Sequence, residues 1–222
     1  AQPVSVEDLT AGPEYFVRGL QETADEVPRD GEGLFAVPRE EILESSVRAY
    51  DAVEKDFPFL AFEDTPPKAV HFSRIMSLLD FTGIYCPYTG ESNVNVDSPA
   101  CLLPSTAAHE LAHQRGIASE QECNFLAILA STTCGREDYA YSGWLLGYIY
   151  LGNALARADR DAWERVWAEL PEGVKADLRN NNAYWKQFQD STVQKASNTV
   201  YDNFLKSYGE ELGLQTYGTV TD

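Results

Sequence analysis

The sequence predicts an α+β protein that is predominantly α-helical, and two patterns support this fold class. Apolar residues recur at helical spacing through the first third of the chain and again through most of it after Pro104. The two-residue alternation of strands occurs only between residues 68 and 96. With 222 residues, 44% of them hydrophobic, the chain can bury a sizeable core without disulfides. We therefore expect a single domain over residues 1–222, with a small antiparallel sheet between two helical parts.

The elements of residues 1–104 are marked by residues that begin or end helices and turns. Pro28 ends the first predicted helix and Pro38 begins the second, while a Tyr-Thr-Gly turn joins the last two of three short strands. The predicted helices cover 14–26 and 38–56, and the predicted strands cover 69–72, 83–85 and 92–96.

Residues 105–222 are predicted to be almost entirely helical. Ser105 or Thr106 is expected to cap the first of these helices, and Gly116 to follow its end. The predicted helices cover 105–113, 119–133, 139–157, 162–170 and 184–208.

The charge of the chain excludes two classes of partner. Lys and Arg number 17 against 35 Asp and Glu, which gives a formal net charge of −18. Such a surface repels phosphate backbones and anionic headgroups, so we expect no nucleic acid and no direct electrostatic binding to membranes. The most apolar run, residues 141–156, is interrupted by glycines and an asparagine, and it predicts a buried helix rather than a membrane span.

The four cysteines match no metal-binding or redox spacing. Cys86 and Cys101 flank the predicted hairpin and could be bridged. Cys123 and Cys134 lie on one predicted helix, and we expect both to be buried free thiols.

The run His109-Glu110-Leu111-Ala112-His113 is an HExxH motif. Residues four apart share a helix face, so the two imidazoles can bind one metal ion. Glu110 lies one position round the helix, close to the metal but not bound to it, where a general base can deprotonate a coordinated water. The motif predicts a catalytic zinc site.

The third zinc ligand is predicted to be a carboxylate. A third histidine six residues after His113 is excluded, because that position is Ser119. Glu120 and Glu122 then compete, and a capping box from Ser119 to Glu122 would occupy Glu122 and favour Glu120. Glu122 and a more distant carboxylate remain alternatives. Asn124, one turn after Glu120, is predicted to orient a ligating histidine through its other ring nitrogen.

These residues resemble two groups of proteins. HExxH followed by a helix carrying Glu120-x-x-x-Asn124 resembles the gluzincin pattern of thermolysin-like zinc peptidases. Residues 109–116 with the following Glu120-x-Glu122-x-Asn124-Phe125 more closely resemble the bacterial domain-of-unknown-function family 3810, whose members are membrane-anchored HExxH proteins. Segments 83–95 and 201–218 agree with that family. The chain departs from it at Cys123, where alanine is usual.

The resemblance implies a zincin-like catalytic domain with one Zn²⁺ per chain, in which residues 105–222 supply the zinc-binding helices. It also implies an extracytoplasmic location at the bacterial cell envelope, with membrane contact only through N-terminal transmembrane helices that this chain does not include. By analogy with gluzincin-like enzymes, the strand 92–96 would present an edge to a peptide or protein substrate. Asn93 and Asn95 would then contact the substrate backbone, and the alternative is that they cap a hairpin.

The predicted activity is that of a zinc-dependent metallopeptidase. Zinc lowers the pKa of its bound water to about 7, and Glu110 takes the proton as that water attacks a carbonyl. Tyr217 is the first candidate for a donor to the oxyanion, and the other candidates are Tyr201, Arg115 and His71. Two alternatives stay open: a zinc-bearing domain that binds a peptide or partner at the envelope without hydrolysing it, and a zinc hydrolase of a non-peptide amide or ester.

Overall fold

A computed structural model describes residues 6–188 of the chain, and within them the protein is predominantly helical with one small sheet. This confirms the predicted α+β, mostly α class, while the zincin-like assignment stays a prediction. The α-helices are α1 (Val6–Thr23), α2 (Arg39–Ser45), α3 (Val53–Asp56), α4 (Ser73–Leu78), α5 (Leu103–Gln114), α6 (Glu120–Thr133), α7 (Glu137–Ala158), α8 (Arg160–Ala168) and α9 (Glu172–Lys186). The strands are β1 (Lys68–Ala69), β2 (Gly83–Cys86) and β3 (Glu91–Val94), and single 3₁₀ turns cover Ser46–Arg48, Pro58–Leu60 and Ala100–Leu102.

The sheet is mixed rather than wholly antiparallel, with the strand order β1-β3-β2. The predicted hairpin forms, since β2 pairs antiparallel with β3. The sequence-based expectation was wrong for β1, which runs parallel to β3. The reason is the strand order: the chain reverses twice between β1 and β3, so these two strands run in the same direction, and β1 pairs with β3 rather than with β2. A helix of six residues is too short to show a periodic pattern, so α4 was not predicted.

The 22-residue helix α7 packs against α1, α5, α6 and α8. Two of its glycines allow close approach, because a Cβ at Gly147 would overlap the Phe16 ring of α1 and one at Gly143 would lie 2.8 Å from Ser131 Cβ of α6. The run 141–156 is therefore the buried helix that was predicted. In the part of the chain that the structure describes, no helix is both long enough and apolar enough to cross a membrane.

Several helix boundaries differ from the predicted ones. The segment 38–56 is broken into α2, a 3₁₀ turn and α3. Helix α5 begins at Leu103 rather than after a cap at residue 105 or 106, and Ser105 lies inside it, where its backbone N–H donates to Ser142 Oγ (3.1 Å). The predicted helix 184–208 lies outside the described residues beyond Phe188.

Helix α9 begins at Glu172, so residues 172–183 are helical although they were not predicted to be. The apolar face formed by Val174 and Leu178 is short, and the run of asparagines that follows interrupts the apolar periodicity in the sequence. Between these two residues, Asp177 is buried and accepts hydrogen bonds from Arg29 Nη1 (3.0 Å) and the backbone N–H of Phe35 (2.9 Å). Long-range polar contacts of this kind leave no periodic signal in a sequence.

All four cysteines are free thiols, so Cys86 and Cys101 are not bridged. Cys123 is buried, in agreement with the sequence-based prediction, and Cys134 is partly buried.

Candidate metal centre

Helices α5 and α6 form an antiparallel hairpin that brings the HExxH motif against the predicted third ligand. Gly116, with a φ of 83°, follows the end of α5 in a conformation that suits glycine. Ser119 caps α6 and its hydroxyl accepts from the backbone N–H of Glu122 at 3.4 Å, as the capping pattern predicts. The short loop therefore sets His109 and His113 opposite the first turn of α6.

The carboxylate of Glu120 lies against both histidines. His109 Nε2 is 3.1 Å from Glu120 Oε2, and His113 Nε2 is 3.7 Å from Glu120 Oε1. Ligand atoms bound to a tetrahedral zinc at about 2.0–2.2 Å lie about 3.3–3.6 Å from one another, and the two separations here lie just below and just above that range. Glu122, the competing carboxylate, is exposed on the other side of the first turn.

The second ring nitrogen of each histidine is held by an oxygen. Asn124 Oδ1 lies 2.9 Å from His109 Nδ1, and the Ile117 carbonyl oxygen lies 2.8 Å from His113 Nδ1. An oxygen acceptor at Nδ1 favours the tautomer with the proton there, which leaves the Nε2 lone pair for a metal ion.

Cys123 lies next to the site, although the sequence predicted only that it is a buried free thiol. The ligand atoms of His109, His113 and Cys123 lie within 4.8 Å of one another, so this trio is a second possible donor set. However, Cys123 Sγ is 3.4 Å from His113 Nδ1 and 3.5 Å from the Ile117 carbonyl oxygen, on the side of the ring away from Glu120. The geometry favours Glu120, because it alone of the two faces both Nε2 atoms.

Glu110 is a buried acid beside this cluster. Glu110 is only 3% exposed, and its Oε2 has no hydrogen-bond partner among the described residues. Burial raises the pKa of Glu110 to about 7. The backbone of β2 passes so close that a Cβ at Gly83 would overlap the Glu110 carboxylate. A carboxylate with a pKa near neutrality has the proton affinity that a general base requires.

The histidine and carboxylate charges are strongly coupled. Burial lowers the pKa of His113, but hydrogen bonds to Cys123 and Glu120 outweigh burial and raise it to about 11. Burial raises the pKa of Glu120, yet the two histidines hold it well below its usual range. A divalent cation that binds neutral imidazole and carboxylate competes with these protons, so metal affinity should fall as the pH is lowered.

The strand beside the site is β2, which corrects the prediction for the strand 92–96. Because β3 is the central strand, both of its sides are paired, with Asn93 in register between Lys68 and Ile84. It is the ring of Tyr85, on β2, that stacks on His113, with centroids 6.2 Å apart and an interplanar angle of 13°.

Asn95 lies in the turn after β3 and is buried. It is 1% exposed, donates to Ser77 Oγ (2.8 Å), and accepts from the backbone N–H of Asp97 (3.0 Å). Its side chain fastens the turn after β3 to α4, which agrees with the capping alternative.

The predicted oxyanion donors are not brought to the site within the described residues. Tyr217 and Tyr201 lie outside those residues. His71 is exposed in the turn after β1. Arg115 donates to Glu54 and Asp64, each at 2.7 Å, so its guanidinium belongs to a buried ion-pair cluster.

A tyrosine that the sequence analysis did not single out lies within the electrostatic reach of the site. Burial, and to a smaller extent the charge of Glu120, raise the pKa of Tyr150 to about 12. No sequence pattern marks this residue, because it lies on α7, more than thirty residues after the motif.

Comparison with known proteins places this site in a family. Residues 1–222 match the model of the family described as Protein of unknown function (DUF3810). The chain belongs to this family. The match confirms the family resemblance seen in the sequence, although the DUF3810 description assigns no activity. No curated protein and no solved structure matches the chain.

Proposed function

We propose that this DUF3810 protein is a zinc-dependent metallopeptidase, in which His109, His113 and Glu120 bind one Zn²⁺ and Glu110 is the general base. The observation that carries the proposal is the buried Glu110 Oε2, which has no hydrogen-bond partner within residues 6–188 and lies beside three converging donors. A buried carboxylate oxygen without a hydrogen bond costs about 1–3 kcal/mol or more. A purely structural zinc site has no use for such a group.

The donor set fits a catalytic zinc. Two imidazole nitrogens and one carboxylate make three protein ligands, which is the number that leaves a position open for water and substrate. Bound zinc polarises a carbonyl and lowers the pKa of a coordinated water to about 7.

The residues of the chain would carry out proton transfer, orient the zinc ligands and restrict the access of water. The Glu110 carboxylate accepts the proton of the attacking water and later delivers it to the nitrogen of the leaving amine. Asn124 and the Ile117 carbonyl fix the rotation of the two imidazoles. Tyr85 packs on the ring of His113 and limits the access of water from that side.

The edge of β2 supports a peptide as the substrate class. In the described part of the chain, β2 is bonded to β3 on one side and is the last strand of the sheet on the other. A substrate in extended conformation can add to such an edge through main-chain hydrogen bonds. The absence of a side chain at Gly83 lets this backbone approach Glu110. The extracytoplasmic envelope location implied by the family resemblance is part of the same proposal.

The proposal is tested by metal content and by cleavage. Protein purified without chelator should contain about one zinc per chain, and Glu120→Ala should lose it. Glu122→Ala is the matched control, because it removes an exposed carboxylate from the same helical turn. The zinc-loaded protein should cleave members of a mixed peptide library, as followed by mass spectrometry.

Different results would separate the competing functions. Absence of zinc after reconstitution would overturn the metal site. Retention of zinc without cleavage of any peptide, amide or ester would instead favour a non-catalytic binding domain. Turnover confined to amide and ester panels would assign a hydrolase of non-peptide substrates.

A further inference from the structure

The packing of α7 on α6 places Tyr150 next to the metal centre. The two helices form an antiparallel hairpin through Gly135, which has a φ of 79°. Gly143 of α7 contacts Ser131 of α6. Seven residues make two helical turns, so Tyr150 lies on the same face of α7 as Gly143. The residue seven positions before Ser131 on the antiparallel helix is Asn124, which binds His109.

The packing of α7 on α5 gives the same position independently. Ser142 Oγ of α7 lies 2.9 Å from Ser105 Oγ of α5. Both helices run antiparallel to α6, so they run in the same direction as each other. Eight residues further along each helix lie His113 on α5 and Tyr150 on α7. Two separate helix contacts therefore set Tyr150 at the level of the two histidines.

The surroundings of Tyr150 agree with this placement. Besides burial, the charge of Glu120 contributes to raising the pKa of Tyr150, in agreement with the position given by the helix packing. The side chain of Tyr150 is half-buried. A phenol is protonated at physiological pH, so Tyr150 is available as a hydrogen-bond donor.

We propose that Tyr150 donates its phenolic hydrogen bond to the substrate oxygen that becomes an oxyanion at the metal centre. This inference rests on the proposed hydrolytic function. As the water oxygen bonds to the carbonyl carbon, the carbonyl π electrons move to its oxygen, and Tyr150 stabilises that charge without giving up its proton. When the C–N bond breaks, the nitrogen receives the proton held by Glu110. Tyr150 is thus a catalytic residue from the third helix of the site.

The test measures anion binding, so it does not depend on knowing the substrate. The full chain is loaded with Co²⁺ in place of zinc, and inorganic phosphate is titrated while the visible absorption of cobalt is recorded. Tyr150→Phe removes one hydroxyl and should weaken phosphate binding about tenfold or more, as expected for a donor to a charged acceptor. Binding of imidazole, which presents no acceptor to a phenol once it is coordinated, should be unchanged.

Tyr148→Phe is the matched control. Tyr148 lies two residues earlier on the same helix, and its ring packs on Gly152, 3.3 Å from the position of a Cβ there. This variant should bind phosphate like the unmodified protein. If cleavable peptides are found, Tyr150→Phe should lower kcat about a hundredfold with little change in KM, and Tyr148→Phe should lower neither.

Equal phosphate binding by Tyr150→Phe and the unmodified protein would overturn the role of Tyr150 while leaving the metal centre in place. A cobalt-loaded protein that binds no phosphate would also overturn it. Failure to bind cobalt or zinc at all would overturn the proposed function itself, and the metal analysis reveals that outcome separately.

Discussion

Two buried charged side chains lie five residues apart near the end of α5, and their surroundings are opposite. Glu110 keeps a carboxylate oxygen without a hydrogen-bond partner in the described part of the chain, and burial raises its pKa to about 7. Arg115, with a side chain 1% exposed, is paired with Glu54 and Asp64 and stacks 3.7 Å from the centroid of the Tyr50 ring.

The difference separates a reactive group from a structural one. A buried charge that is fully paired has replaced its hydrogen bonds to water with hydrogen bonds to protein groups. It has no unused hydrogen-bonding group left for a ligand. A buried carboxylate with a free oxygen retains the cost of desolvation, and it gains a partner only when a proton or substrate group arrives. This difference supports the proposed role of Glu110 as the general base, whereas Arg115 holds α5 to the loop before β1.

The largest expected effect is that of Glu110→Gln on turnover. The amide keeps the shape of the side chain but cannot accept the proton of water, so cleavage should fall about a thousandfold. Zinc content should remain about one per chain, because Glu110 is not a ligand. Steady-state kinetics on any peptide cleaved by the unmodified protein measure the change, with Glu122→Gln as the exposed control. Full activity in Glu110→Gln would remove the general base from the proposal.

The same variant also carries a pH signature in chelator-treated protein. An unfolded glutamate titrates near pH 4.5, whereas burial raises the folded pKa of Glu110 to about 7. The folded state therefore holds the proton more tightly, and the stability that this contributes is present below pH 4.5 and is lost as the pH rises through 7. Urea unfolding at several pH values should show this loss in the unmodified protein and a smaller loss in Glu110→Gln.

The second effect is that of Arg115→Ala on folding. It leaves Asp64 buried without its cation, and breaking a buried ion pair from one side costs about 3–5 kcal/mol in the free energy of unfolding. Arg48→Ala is the control, since the pair of Arg48 and Asp51 is exposed and should contribute less than about 1 kcal/mol. Folded Arg115→Ala should still bind zinc. A large loss of turnover with normal stability would instead return Arg115 to the list of oxyanion donors.

The third effect is that of Gly83→Ala, which tests the close contact between β2 and Glu110. A Cβ there would overlap the carboxylate, so the strand or the acid must shift, at a cost of about 1–3 kcal/mol in stability. Turnover should fall by more than the decrease in the fraction of folded protein accounts for. Gly31→Ala introduces the same methyl group where nothing lies within 4 Å, and it should leave both quantities unchanged.

Site residues could be predicted from the sequence where their relative positions depend on residues close to one another along the chain. His109, His113, Glu120 and Asn124 could be singled out because helix periodicity and one short loop govern their relative positions. The order of the strands could not, because it depends on where α4 returns the chain and on which strand β1 then pairs with. Tyr150 is brought to the site by the packing of α7 on two other helices, a contact that no local pattern encodes.

The smallest expected effect is that of Cys123→Ala, which decides between the two donor sets. If Glu120 is the third ligand, the loss of the thiol leaves the Ile117 carbonyl still holding His113 Nδ1, and zinc affinity should change by less than about threefold. Stability should change by about 1 kcal/mol or less, because the thiol and the methyl group are of similar bulk. Cys101→Ala, in the core and outside the site, is the control for burial. The measurement is the zinc content of Cys123→Ala and of Glu120→Ala. Loss of zinc in Cys123→Ala with retention in Glu120→Ala would identify the thiol as the third ligand. The open position of the centre would then lie on the Nδ1 side of His113.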